Sequence, residues 1–312
     1  MKRAFVFPGQ GSQYAGMGRD LFDNYQVARE IFERADSVLG FRLSELCFNG
    51  PEDELKKTAN AQPAILTVST AAAAVLRQEG VHYEAAAGHS LGEYSALVAA
   101  EAIAFEDAVS LVRLRGRLMQ EAVPLGEGGM SAVLGLDVGA VAEICHRASE
   151  AGVVEAVNLN SPGQVVIAGI HAGLQKAAEL ARAAGAKKVI PLPVSAPFHS
   201  SLMRQAGEKL GEALGCINIK EPAVPVVSNV TARYHGSPGD VGRLLVEQVY
   251  SPVRWQECME FMINKGVQVF VEVGPGRVLG GLIKKISRSS DTLNVEDAAS
   301  LEKVLASVRE VG

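Results

Sequence analysis

Cysteine is scarce in this chain, with four among 312 residues, at Cys47, Cys145, Cys216 and Cys258. No two of them form a C-x-x-C pair. That excludes a disulfide framework and a thiolate zinc site, and it fits a reducing, cytoplasmic setting. An excess of positive charge is lacking as well. The 30 Lys and Arg against 35 Asp and Glu leave a net charge of −5, which argues against a nucleic-acid partner. Long apolar runs are missing. Lys2 and Arg3 precede a run that stops at Pro8, too short for a signal h-region. The longest soft stretch, Ala64 to Leu76, holds Thr67, Ser69 and Thr70 and falls short of the ~20 residues of a membrane span. No membrane partner is expected, and no low-complexity tract appears.

What is present is a globular composition, 48% hydrophobic and 21% charged. The length suits one large domain or two unequal ones. The chain is organised around Gly88-His89-Ser90-Leu91-Gly92. This G-x-S-x-G run follows a short stretch of small residues, Tyr83 to Ala87, and precedes the breaker-free segment Glu93 to Ala100. Strand, sharp turn and helix in that order make a nucleophile elbow. Side chains at 88 and 92 would collide across so tight a turn, and glycine has none. Ser90 is left at the tip. The amide of Leu91, at a helix start, is free to face a developing oxyanion.

Ala4 to Phe7 reads as a buried strand running into the loop Pro8-Gly9-Gln10-Gly11-Ser12-Gln13. A dinucleotide fingerprint fails there, because Tyr14 stands where the third glycine belongs. Helices are predicted over 24–39, 43–47, 52–57, 62–78 and 105–119. Past the glycine-rich linker at 124–129 the order becomes compact. Strands at 130–136, 153–159, 164–168 and 187–193 alternate with helices at 138–150 and 171–184, which is the βαββαβ order of ferredoxin-like units. Helices at 202–214, 240–250, 255–265 and 279–286 and strands at 226–229 and 267–273 follow. The expectation is an α/β protein with a parallel-sheet core covered by helices on both faces, residues 1–125 and 196–312, and an inserted ferredoxin-like subdomain, residues 126–195.

A nucleophilic serine needs a base, and His199 is the best placed of six histidines, in a loop after a strand. His89 adjoins Ser90 but points away from it in such a turn and supports the loop. No acid completes a triad: Asp107 and Asp137 lie at no convincing strand end, so a backbone carbonyl is the expected orienting group. Arg113, Arg115 and Arg117 alternate along one helix, and at most one of them faces the site.

The ordered motifs carry a resemblance. Phe7 to Gln13 reads F-P-G-Q-G-S-Q, Gly88 to Glu93 G-H-S-L-G-E, Arg115 to Gln120 R-G-R-L-M-Q and Pro197 to Ser200 P-F-H-S. Asn160 to Gln164 and Gln248 to Val253 also match. Nearly the whole chain resembles the malonyl-CoA:acyl-carrier-protein transacylases of fatty-acid synthesis. That resemblance implies an α/β-hydrolase-like core with a ferredoxin-like insert, and acylation of Ser90 by malonyl-CoA with His199 as base. It implies an oxyanion hole from the Gln10 and Leu91 amides, a carboxylate clamp at Arg115, and a Gln248 carbonyl that orients His199. It sets Phe198, Asn160 and His89 on the substrate side. Phe198 before His199 resembles the malonyl-selective rather than the methylmalonyl-selective enzymes.

The implied partners are malonyl-CoA and holo-acyl carrier protein. CoA enters as a substrate, and neither cofactor nor metal is expected. A monomer is expected, because no coiled-coil pattern appears. Acidic carrier proteins call for a basic patch, for which Lys187-Lys188 and Lys284-Lys285 with Arg288 are candidates. The competing readings are a thioesterase, a non-catalytic partner protein, and a polyketide-pathway acyltransferase acting in trans.

Overall fold

The computed structural model describes every residue except Leu125, Ser195 and Gly312. Two sheets organise it. Strands β1 (Lys2–Phe7) and β2 (Ala85–Gly88) begin the larger one. Strands β3 (Gly128–Leu134), β4 (Val154–Ser161), β5 (Gln164–Ile170) and β6 (Lys188–Pro191) form the smaller one. Strands β7 (Val226–Val227), β8 (Val267–Val273) and β9 (Asp291–Val295) return to the larger. The larger sheet runs β7-β2-β1-β8-β9, every pair parallel. The smaller runs β4-β5-β3-β6, every pair antiparallel. Residues 125 and 195, where the expected boundaries of the insert fall, lie outside the described residues.

The parallel sheet is buried on both faces, as its apolar strands require. Side chains alternate between two cores. Phe5, Phe7, Ala86, Val271 and Val273 join the core that contains the long helix Thr58–Gln78. Ala4, Val6, Ala85, Ala87 and Phe270 pack on Trp255, Cys258 and Met259 of helix Trp255–Asn264. The small sheet is divided likewise. Val133, Val165 and Ile167 pack under helices Val138–Ala148 and His171–Ala183. Met130, Val157, Val166 and Ala168 face the other way, into the same core as Ala196 and Phe198. The small sheet therefore leans directly on the loop that carries His199.

Several elements differ from expectation. The Ala-rich helix starts at Thr58 and runs 21 residues, with Pro63 inside it. It is long and apolar enough to cross a membrane by length and composition, but 78% of its most apolar window is buried within the protein. Strand β7 is two residues long, because the chain turns at Ser228 to form an isolated bridge between Val227 and Tyr234. The 202–214 helix divides into one 3₁₀ turn, Ser201–Met203, and helix Arg204–Leu214. The tail adds β9 and helix Ala298–Val311. Asp137 is spent capping helix Val138–Ala148, where it accepts from the Ala140 amide at 2.8 Å.

Candidate active site

Strand β2 ends at Gly88 and helix Leu91–Ala99 begins at Leu91, so Ser90 sits at the corner with φ +53°. The corner exists because glycines allow it. A Cβ on Gly88 would overlap the backbone of Gly92, and one on Gly92 would overlap the Phe7 carbonyl of β1. A Cβ on Gly9 would meet the His89 carbonyl at 2.5 Å, so the Pro8-Gly9-Gln10 loop lies against the elbow. The turn is held by the Ser90 N–H donating to Asn229 Oδ1 at 2.7 Å and by Asn229 Nδ2 donating to the Gly88 carbonyl at 2.7 Å.

Ser90 Oγ is 2.7 Å from His199 Nε2, and His199 Nδ1 is 2.8 Å from the Gln248 carbonyl oxygen. A carbonyl only accepts, so Nδ1 carries the proton. Nε2 then presents its lone pair to the serine hydroxyl. Burial first, and the Arg115 charge second, push the His199 pKa down from 6.5 to about 3. A neutral imidazole in that place can take a proton from Oγ. No carboxylate is needed to orient it, since the Gln248 carbonyl does so.

Arg115 reaches the same point from helix Phe105–Glu121. Its Nη2 donates to Ser90 Oγ at 3.1 Å and to Gln248 Oε1 at 2.9 Å, and its Nη1 donates to Gln62 Oε1 at 2.8 Å. It is 1% exposed, and among the described residues no carboxylate comes within ion-pair distance of it. Burial lowers its pKa. Its Nε is buried with no hydrogen-bond partner among the described residues. Arg113 turns instead to the Leu39 carbonyl and the Phe41 ring, and Arg117 is exposed. One guanidinium of the three faces the site, desolvated and with no carboxylate in contact, the Glu93 charge acting on it only from beyond Gln248. Such a group is built to receive an anion.

His89 is turned away from Ser90. Its Nε2 is 2.8 Å from Asn160 Oδ1 on β4, and its ring lies 5.5 Å from that of Trp255. Burial lowers its pKa. Phe198 is 6% exposed and part of the core. Gln10 Nε2 donates to Thr58 Oγ1 at 3.2 Å. Among the described residues, the backbone amides of Gln10 and Leu91 donate to no backbone carbonyl outside regular structure. Leu91 opens its helix, where the first amides have no intrahelical acceptor.

Sequence reasoning missed four residues here: Gln62, Glu93, Asn229 and His235. Glu93 and Gln62 stand in almost wholly apolar helices, and a polar group at a buried helical position is a readable sign. Asn229 and His235 sit in a loop and leave no periodic sign.

Comparison with known proteins extends this picture. The model of the acyl transferase domain matches residues 4–307. The chain is 48% identical over 310 residues to the malonyl CoA-acyl carrier protein transacylase of Bacillus subtilis, covering 99% of this chain and 98% of that protein. It superposes on an acyl-carrier-protein S-malonyltransferase of Burkholderia pseudomallei with a TM-score of 0.96, at 49% identity, covering 98% and 100% of the two chains. A malonyl-transacylase solved in complex with a type II PKS acyl-carrier protein gives a TM-score of 0.96 at 45% identity, with 98% of this chain and 100% of that one covered.

Proposed function

This chain belongs to the acyl transferase domain family, and we propose that it moves malonyl from malonyl-CoA to the phosphopantetheine thiol of acyl carrier protein, in fatty-acid synthesis. The observation that carries the reading is the position of Ser90 Oγ, 2.7 Å from Nε2 of a neutral histidine and 3.1 Å from a buried guanidinium with no carboxylate in contact. A simple hydrolase has use for the first contact alone. An acyl group bearing a free carboxylate has use for both.

The reaction is a double displacement. Ser90 Oγ gives its proton to His199 Nε2 and attacks the thioester carbonyl. The Gln10 and Leu91 amides receive the oxyanion, each lowering the barrier by about 3 kcal/mol. Collapse breaks the carbon–sulfur bond, and CoA leaves with the proton from His199. The malonyl ester waits with its carboxylate on Arg115. The carrier thiol then gives its proton to His199 and attacks the ester, and the departing Ser90 oxygen takes that proton back. Arg115 discriminates because a methyl end would leave the buried guanidinium unpaired. Phe198 narrows the space beside the α-carbon, and Asn160 holds His89 and, through it, the elbow. CoA and the carrier's thiol are substrates, so the cycle draws on no resident cofactor. Four free thiols support a reducing cytoplasmic setting.

The carrier needs a positive landing. Lys188 pairs in register with Leu134, which pairs with Gln164, and Lys285 Nζ donates to Gln164 Oε1 at 2.9 Å. Lys188 and Lys285, both exposed, thus share one end of the small sheet. That supports a docking site for an acidic protein there. Delivery to a polyketide carrier is the alternative, favoured by the likeness to a relative solved with such a partner.

The test is intact-protein mass spectrometry after mixing with malonyl-CoA. A malonyl increment on the wild type, absent from Ser90→Ala and chased off by fatty-acid acyl carrier protein, is the expected result. Free malonate with no adduct and no transfer would make the chain a thioesterase. Transfer to a polyketide carrier alone would move it to that pathway.

A further inference from the structure

Glu93 takes no part in the chemistry above, yet its side chain is 0% exposed. We infer that Glu93 is a positioning residue that holds Ser90, His199 and Arg115 in register through two intermediaries, Gln248 and Asn229. The inference rests on the acyl-transfer reading and deepens it.

The connections are short. Glu93 Oε2 accepts from the Asn229 N–H at 2.9 Å and from Gln248 Nε2 at 2.8 Å. Its other oxygen, Oε1, lies 2.9 Å from Nε2 of the equally buried His235. From Asn229 the chain of contacts continues to the Ser90 N–H and the Gly88 carbonyl. From Gln248 it continues by the side chain to Arg115 and by the main chain to His199. Each reacting residue is therefore one residue removed from the same carboxylate.

The chemistry of the amide explains why a carboxylate is there. A primary amide has one accepting end and one donating end, and nothing in its shape prefers either orientation. Arg115 can only donate, so it needs Gln248 Oε1. Glu93, when ionised, can only accept, so it takes Gln248 Nε2. The two opposite charges select one orientation of the amide between them, and the Ser90 carbonyl, which accepts from Nε2 at 3.0 Å, selects the same one. With an apolar residue at 93 only that carbonyl and, at 3.4 Å, Asn229 Oδ1 remain to hold Nε2 on its side, and a flipped NH₂ confronts the guanidinium donor to donor. Arg115 would lose one of the contacts that aim it at Ser90 Oγ. Asn229 would lose the acceptor that fixes its backbone, and the elbow would lose its brace.

The test compares Glu93→Leu with Glu93→Gln in the full chain. The readouts are thermal melting and the kcat/KM values for malonyl and for acetyl transfer. Glu93→Leu is expected to lower malonyl transfer about 100-fold and the malonyl-to-acetyl preference about tenfold, the scale of groups that act through a site residue. Glu93→Gln keeps an accepting oxygen for Gln248 and is expected to retain most of the preference. On an Arg115→Ala background, Glu93→Leu should leave the preference where it is, because the residue it acts through is gone. A Glu93→Leu protein that melts cooperatively and keeps the wild-type preference overturns the inference, as does an equal loss in Glu93→Gln. If Glu93→Leu does not fold, Glu93→Asp draws the carboxylate back by one methylene. A preference lowered about threefold is expected of it, and an unchanged one overturns the inference. A wild type that transfers no malonyl overturns the acyl-transfer reading. A wild type that transfers while the variants keep their preference overturns only the role of Glu93.

Discussion

Ser90 and His199, 2.7 Å apart through Oγ and Nε2, both have left-handed backbones, with φ of +53° and +64°. Only two other non-glycine residues among those described share that region, Glu101 and Ala232. Such conformations cost about 1–3 kcal/mol each and persist where neighbours hold them. At Ser90 the neighbour is Asn229, which accepts from its N–H.

Asn229→Ala removes that acceptor and leaves a buried amide unpaired. The expected loss of stability is about 1–3 kcal/mol, read by denaturant unfolding. Acylation of Ser90 should slow in parallel, because the corner is free to relax. A variant with wild-type unfolding and wild-type acylation would show that the elbow needs no such brace.

Arg115→Ala should separate two acyl groups. Hydrogen bonds to a charged group contribute about 1.5–3 kcal/mol, so malonyl transfer is expected to fall 10- to 100-fold or more while acetyl transfer falls less. Competition between malonyl-CoA and acetyl-CoA, followed by mass, measures the ratio directly. An unchanged ratio removes Arg115 from the clamp.

The pH dependence has a definite sign. An exposed histidine titrates near 6.5, whereas folded His199 is held at about 3. It is already neutral at neutral pH, so the acid limb of kcat/KM for acetyl transfer should lie well below 6.5. Burial is the main cause and Arg115 the second. Arg115→Ala should therefore move that limb upward. Stability follows the same group: as pH falls from 6.5 toward 3, the unfolded chain takes a proton that the folded one refuses, and this contribution is lost. An acid limb at 6.5 in the wild type would contradict the burial of His199.

Gly92→Ala tests the elbow without touching a reacting atom. Its Cβ would overlap the Phe7 carbonyl, which belongs to the central strand β1 and cannot retreat. The expected penalty is large, about 4 kcal/mol or more. Thermal melting checks it, and a normally stable variant would show that strand and helix separate more easily than their packing suggests.

Charge reversal at Lys188 and Lys285 together should raise KM for carrier protein and leave acylation by malonyl-CoA unchanged. The effect should shrink as salt rises, since exposed charges are screened over ~10 Å at 0.1 M. An unchanged KM would send the search to another face.

The reacting centre was legible where its chemistry is local. Gly88, Ser90 and Gly92 lie within one turn, and that turn tolerates few other residues. The βαββαβ order of residues 128–191 was legible because each element carries its own period. The support of the centre was not. Gln248 was expected to act through its carbonyl, and its side chain proves equally engaged, with Arg115 and Glu93. Those contacts join residues 133 and 155 positions apart, and no spacing in the chain encodes them. Strand β9 carries little strand signal, because it mixes Thr292 and Asn294 with few apolar residues at a sheet edge. Helix Ala298–Val311, absent from the predicted elements, does carry a helical signal, since Leu301, Val304, Leu305 and Val308 repeat at helical spacing.

The unpaired guanidinium of Arg115 has a thermodynamic consequence for the molecule as a whole. A buried cation with no anion in contact raises the free energy of the folded state, and a bound carboxylate relieves it. The enzyme is then stabilised by its own first substrate, in proportion to the logarithm of its concentration above Kd. When malonyl thioester is scarce the resting chain is left in its less stable form, so the stability of the catalyst is coupled to its substrate through a single guanidinium.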